Sequence, residues 1–153
     1  FPTRRSSDLV EEVAKILGEI YGDSMTEFIL HGYDDISHPA DSDMVLNRYE
    51  LTTEQYNFPY EVGDEFTSKA FYSTTSDLSE NSWAATTWMS ESMRTHGDAT
   101  SQVVKLEIHI PAGTPILTGN DSMHEVLLKY GSKFKVTGFD SDTNTYILEY
   151  IPN

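Results

Sequence analysis

The amino-acid sequence predicts a mixed α+β domain with a mostly antiparallel, two-sheet β core flanked by helices. One clear amphipathic helix comes first, and most of the second half of the chain consists of β-type runs separated by short turn sequences. The chain has 153 residues, of which 38% are hydrophobic. A chain of this length and composition suits a single domain with one hydrophobic core.

The first helix is predicted over residues 8–22, where apolar residues recur at helical spacing and Gly22 provides a stop. Residues 1–7 show no such periodicity, and we expect a disordered or non-native lead there. Residues 8–153 are then predicted to form one domain, whether alone or as a piece of a longer protein. Residues 26–43 are predicted to hold a short element followed by a loop, because glycine and proline interrupt a single apolar run.

Seven β-type runs follow, each bounded by turn residues. They cover residues 44–51, 65–75, 102–110, 114–118, 125–130, 133–138 and 145–151. A second helix is predicted over residues 79–93. Its two tryptophans, Trp83 and Trp88, are expected in the core, since aromatic side chains dominate core packing.

The composition excludes several classes of function. Asp and Glu number 25 against 10 Lys and Arg, so the formal net charge is −15. Because nucleic acids and anionic membranes are polyanions, neither is an expected partner. The chain has no cysteine, which excludes a thiol nucleophile, and its histidines lack ligand spacing, so we expect no metal site. No apolar stretch could span a bilayer, and no signal peptide is recognisable. We expect a monomer.

Three segments place polar side chains inside otherwise apolar β runs. They are residues 45–51 (Val-Leu-Asn-Arg-Tyr-Glu-Leu), 70–76 (Ala-Phe-Tyr-Ser-Thr-Thr-Ser) and 122–128 (Ser-Met-His-Glu-Val-Leu-Leu). Taken singly, each has an ordinary structural explanation: an edge arginine in a salt bridge, β-favouring hydroxyls on a solvated face, and one carboxylate among many. Their order and spacing along the chain are what point to a site.

With these three motifs, the sequence resembles the Arg/Ser-Thr-Ser/Glu class of mono-ADP-ribosyltransferases, which contains clostridial Rho-modifying exoenzymes and actin-modifying binary toxins. Residues 62–84 resemble the central strand and following helix of that class, and residues 103–117 resemble its strand, Pro-Gly turn and strand. Residues 124–136 resemble its catalytic glutamate strand. The resemblance covers about residues 44–151. It implies an ADP-ribosyltransferase-like fold and an enzyme that cleaves the nicotinamide N-glycosidic bond of NAD and transfers ADP-ribose to a protein side chain, without a metal.

The resemblance also implies roles for individual residues. Arg48 would bind a phosphate of NAD with its planar guanidinium. Ser73 would position Glu125, while Thr74 and Thr75 complete the hydroxyl motif, with Thr75 at the position of the second serine. Glu125 would accept a hydrogen bond from the ribose 2′-hydroxyl and stabilise the positive charge that develops as nicotinamide leaves.

Further positions add to the cofactor-binding set or depart from the family pattern. Tyr49 stands where many relatives have glycine and would lie near the ribose or nicotinamide. Arg94 would be a second phosphate contact, although a helix-end arginine is equally explained by the helix dipole. Met123 replaces the Glu or Gln that engages the acceptor in the family. Three alternatives therefore stay open: an NAD glycohydrolase without a protein target, a noncatalytic NAD-binding module and an unrelated β-rich interaction domain. The family's distribution implies a secreted bacterial or phage-delivered effector or toxin.

Overall fold

The structure is a computed structural model, and it describes residues 32–54, 57–69, 71–118 and 124–152. The helix predicted over residues 8–22 lies outside these ranges, as does Met123. The described elements, in chain order, are α1 (Tyr33–Ile36), β1 (His38–Pro39), β2 (Met44–Thr52), β3 (Glu65–Thr67), β4 (Tyr72–Thr75), a π-helical turn (Ala84–Trp88), α2 (Met89–His96), β5 (Gln102–Ile110), β6 (Pro115–Thr118), β7 (Glu125–Leu128), β8 (Lys133–Asp140) and β9 (Thr145–Ile151).

The nine strands of the described residues form one sheet in the order β1-β6-β7-β4-β2-β5-β9-β8-β3. The α+β class and the mostly antiparallel pairing are confirmed, but the expectation of two sheets is wrong, and the one sheet is not purely antiparallel. The sheet is continuous because β2 and β4 remain paired at Asn47 and Thr75. It is mixed because β9 lies parallel to β5, while the other neighbouring pairs are antiparallel.

Most predicted strands agree with the structure, and β5 and β9 have the predicted bounds. The run predicted over residues 65–75 is two strands, because β3 pairs with β8 whereas β4 pairs with β7. Ser68 lies between them: its amide donates to the carbonyl of Ser132, and its own carbonyl accepts from the amide of Gly131. The chain therefore leaves one edge of the sheet before it enters the middle.

The core lies on one face of this sheet. Its fully buried side chains come from five strands and include Leu46, Leu106, Ile108, Leu128, Phe134, Val136 and Leu148. Side chains alternate between the two faces of a strand, so Arg48 and Glu50 on β2 share the face of Leu46. Two charged side chains of one strand thus lie at the margin of the apolar core.

The predicted helix over residues 79–93 begins later than expected and contains a π-helical turn before α2. The expectation that its tryptophans lie in the core is wrong, because Trp83 and Trp88 are 42% and 38% exposed. Met89 is the buried apolar residue of this segment. A π turn uses i to i+5 hydrogen bonding and so changes which residues face the sheet relative to an α-helix. None of the helices in the described ranges is long and apolar enough to cross a membrane.

Candidate active site

The three sequence motifs lie on neighbouring strands. The order β7-β4-β2 places the strands that carry Glu125, Ser73 and Arg48 side by side in the middle of the sheet. The side chains of Ser73 and Glu125 lie on one face, whereas that of Arg48 lies on the other. Ser73 and Glu125 are 52 residues apart in the chain, and Arg48 and Ser73 are 25 apart. Only the pairing of these strands brings the residues together.

The carboxylate of Glu125 is held by Ser73. In the ladder between β4 and β7, Thr75 lies opposite Glu125 and Ser73 lies opposite Leu127, so Ser73 and Glu125 are diagonal neighbours on one face. The Ser73 hydroxyl donates a hydrogen bond to Oε2 of Glu125 at 2.7 Å. This length is typical of a hydroxyl donating to a carboxylate, which is one of the stronger hydrogen bonds in proteins.

The guanidinium of Arg48 also contacts Ser73, through the backbone carbonyl of that residue. Its Nη1 donates to the carbonyl oxygen of Ser73 at 3.1 Å, and its Nε donates to Oε2 of Glu50 at 3.0 Å. The Arg48 Cζ lies 4.6 Å from the centroid of the Tyr72 ring, within the range of a cation–π contact. Ser73 therefore connects the cation to the carboxylate of Glu125, through its carbonyl on one side and its hydroxyl on the other.

The two threonines after Ser73 are both buried. The hydroxyl of Thr74 donates to the carbonyl of Val126 at 2.6 Å, which fastens β4 to β7 beside Glu125. The hydroxyl of Thr75 accepts from the amide of Asp77 at 3.1 Å. These described bonds fix the backbone on either side of the Ser73 and Glu125 pair.

Tyr49 and Arg94 lie in different surroundings from Arg48. Tyr49 is on the opposite face of β2 from Arg48 by strand alternation. Because Asn47 pairs with Thr75 and Thr75 pairs with Glu125, this is the face that carries the side chains of Ser73 and Glu125. Burial raises the pKa of the Tyr49 hydroxyl, an effect that hydrogen bonding to Asn47 and Ser82 partly offsets. Arg94 is on α2 with 70% of its side chain exposed, and its Nη2 lies 2.6 Å from Oε2 of Glu91.

Two contacts of the site were not anticipated from sequence. Glu50 and Tyr72 both touch the guanidinium of Arg48. Glu50 stands two positions after Arg48, and residues i and i+2 of a strand share a face, so this spacing was a signal that the sequence carried. In the described ranges there is no group of three or more side chains that could hold a metal ion.

The nine described strands form one mixed sheet, and this fold can be compared with solved structures. Solved structures of ADP-ribosyltransferases confirm the resemblance. C3larvin toxin, an ADP-ribosyltransferase from Paenibacillus larvae, matches with a TM-score of 0.57 and 15% identity over 97% of each chain. Vis toxin, an ADP-ribosyltransferase from Vibrio splendidus, matches with a TM-score of 0.53 and 14% identity over 88% of this chain.

The S. aureus protein C3stau2, solved with NAD, matches with a TM-score of 0.51 and 15% identity over 84% of this chain and 70% of its own. The present chain spans 60% of the length of Vis toxin. No protein-family model and no curated protein matches the chain. The chain thus has the fold of the mono-ADP-ribosyltransferase toxins, and at these identities the likeness establishes the fold alone.

Proposed function

We propose that this protein is an NAD-dependent mono-ADP-ribosyltransferase that transfers ADP-ribose to a protein side chain. The observation that carries the proposal is the hydrogen bond from Ser73 to Glu125, with Arg48 bound to the carbonyl of the same serine. Three residues from three separate motifs meet in one hydrogen-bonded arrangement. C3stau2, which has this fold, was solved with NAD, and this supports NAD as the substrate proposed for the present chain.

Arg48 provides the positive charge for the dinucleotide. A chain with a net charge of −15 repels an anion at long range, so binding depends on a cation placed at the site. The guanidinium is planar and always charged, and it suits phosphate oxygens better than an ammonium does. In this proposal Arg94 adds a second phosphate contact and Tyr49 lies near the nicotinamide ribose. The buried Thr74 and Thr75 support this pocket from within the sheet, by fixing the strand that carries Ser73.

Glu125 acts on the bond that breaks. The bond between the ribose C1′ and the nicotinamide nitrogen is cleaved, nicotinamide leaves with the electron pair, and positive charge develops on the ribose. A carboxylate that accepts a hydrogen bond from the 2′-hydroxyl stabilises this charge, which is present in the transition state and absent in the substrate. The nucleophile of the acceptor then bonds to C1′ and releases its proton. Ser73 keeps the carboxylate oriented for this step.

A second function, NAD glycohydrolase, is favoured by one residue. Met123 stands two positions before Glu125, where the resembled family has a Glu or Gln that engages the acceptor. A thioether accepts only weak hydrogen bonds and cannot take up a proton. Water would then replace the protein acceptor, and the products would be nicotinamide and free ADP-ribose. Both activities fit a secreted bacterial toxin or effector.

Nicotinamide release from NAD by the parent and by Glu125→Gln tests the proposal. Glutamine keeps the shape of the side chain and removes its charge, so the rate should fall at least about 100-fold, equivalent to about 2.7 kcal/mol of transition-state stabilisation. Glu149→Gln makes the same change on the exposed side of β9 and should leave the rate within about twofold of the parent.

A parent protein that releases no nicotinamide would refute the enzymatic proposal, and a melting temperature that still rises with NAD would then indicate a noncatalytic binding module. Labelled NAD separates the two catalytic functions. Label attached to protein supports the transferase, whereas free ADP-ribose with all candidate acceptors present supports the glycohydrolase.

A further inference from the structure

Glu50 is a buried carboxylate to which the proposed reaction gives no part. Its side chain is 9% exposed, and that of Arg48, whose Nε lies 3.0 Å from Oε2 of Glu50, is 11% exposed. Removing two charges from water costs free energy that their mutual attraction does not always repay. Stability alone is therefore a weak explanation for a buried ion pair at this position.

The contacts around Arg48 fix the plane of its guanidinium. Glu50 accepts from Nε, the carbonyl of Ser73 accepts from Nη1, and the ring of Tyr72 lies against Cζ. Two hydrogen bonds to different nitrogens define the direction of a planar group, and a ring on one side restricts its tilt. The side chain is thereby held in one orientation before any ligand arrives.

The two-residue spacing on β2 allows the Glu50 carboxylate to reach the Arg48 guanidinium. Arg48 and Glu50 lie on the same face of β2, opposite Leu106 and Val104 of β5, whose side chains are buried. The strand and its partner are rigid elements, so the carboxylate is presented from a fixed point. A group that must meet a phosphate within a few tenths of an ångström benefits from such support.

We propose that Glu50 is a positioning residue that orients Arg48 for the pyrophosphate of a dinucleotide substrate. This inference rests on the proposed function of Arg48. The role belongs to the hydrogen bond rather than to the charge of Glu50, because a negative charge beside Arg48 weakens the attraction of the guanidinium for phosphate. Geometry and charge therefore act in opposite directions, and substitutions can separate them.

Two variants make opposite changes. Glu50→Gln keeps an oxygen that can accept from Nε and removes the charge, so the KM for NAD should equal that of the parent or fall. Glu50→Asp keeps the charge and shortens the side chain by one methylene, so the bond to Nε is lost and KM should rise about 10-fold. The kcat of both variants should stay within about threefold. Glu149→Gln and Glu149→Asp make the same changes at an exposed position of β9 and serve as controls.

A second readout does not require activity. The chain has four arginines, so their Nε–H signals can be assigned in a nitrogen-15 NMR spectrum, with Arg48→Lys identifying that of Arg48. The Arg48 Nε–H should exchange slowly with water in the parent and in Glu50→Gln, and quickly in Glu50→Asp. If the parent neither cleaves nor binds NAD, the proposed function fails and the role toward a dinucleotide fails with it, while this pattern of exchange still shows that Glu50 holds the Arg48 guanidinium.

The inference is overturned if Glu50→Gln raises KM as much as Glu50→Asp does, because the charge would then be what matters. It is equally overturned if the Arg48 Nε–H exchanges slowly in a folded Glu50→Asp protein. An equally large rise in KM in the Glu149 variants would also contradict the inference, because removing or shifting any carboxylate would then have the same effect.

Discussion

Replacing Ser73 with alanine removes one atom, the hydroxyl oxygen that donates to Glu125 at 2.7 Å. The carbonyl of residue 73, which accepts from Arg48 at 3.1 Å, is backbone and survives the substitution. The variant therefore separates the two links that Ser73 makes. We expect catalysis to suffer and NAD binding to be retained.

The size of the effect follows from the kind of bond. A hydrogen bond to a charged group contributes about 1.5–3 kcal/mol, which corresponds to about 10- to 150-fold in rate. Glu125 is partly exposed, so water can replace the lost donor in part, and we expect a fall in kcat of about 10- to 30-fold. This is smaller than the loss expected for Glu125→Gln, because the carboxylate remains and only its orientation is released.

The assay is nicotinamide release over a range of NAD concentrations, which gives kcat and KM separately. Ser76→Ala is the matched control: Ser76 is exposed, and its hydroxyl lies 3.4 Å from the carbonyl oxygen of His124, a weak contact outside the proposed machinery. The reasoning is refuted if Ser73→Ala retains kcat within twofold of the parent, or if its loss appears in KM with kcat unchanged.

Three further predictions concern stability. Phe134→Ala should lower the free energy of unfolding by about 3–5 kcal/mol, because Phe134 is fully buried and packs against the ring of Tyr72; a loss below 1 kcal/mol in urea unfolding would contradict this. Burial raises the pKa of Tyr33 and of Tyr49 in the folded protein above 10, the pKa of a tyrosine in the unfolded chain. Their contribution to the free energy of unfolding is therefore fully present below pH 10 and should be lost as the pH rises above it. Unfolding measured from pH 8 to 11.5 checks the sign, and a rising stability would disprove it. Gly131→Ala should cost about 1–2 kcal/mol, because Gly131 has φ of +85° in the turn before β8; an unchanged urea midpoint would argue against strain there.

Strands that alternate cleanly were predictable from the sequence. β5 has the predicted bounds, and its side chains alternate between buried and more exposed positions along nearly its whole length. Such alternation depends on residues two apart, so a single sequence contains the information. The strands of the first and third motifs were predicted close to their observed bounds, and the resemblance attached roles to Arg48, Ser73 and Glu125.

Features that depend on distant residues or on a change of helix type were not predictable. The run over residues 65–75 reads as one strand, but its two halves have different partners in the sheet. The exposure of Trp83 and Trp88 depends on the phase of a π-helical turn, which the spacing of apolar residues did not reveal. In the first case the deciding interactions join residues far apart in the chain; in the second, a local change of helix type altered the phase of the side chains.

The same distinction applies to the site. The sequence by itself determined the charge of the chain, most of its strands and the residues of the proposed site. The tertiary structure alone decided that Ser73 connects Arg48 to Glu125 and that Glu50 holds the guanidinium. The physical reason is that hydrogen bonds act over about 3 Å, whereas the residues that make them lie on strands whose order in the sheet differs from their order in the chain.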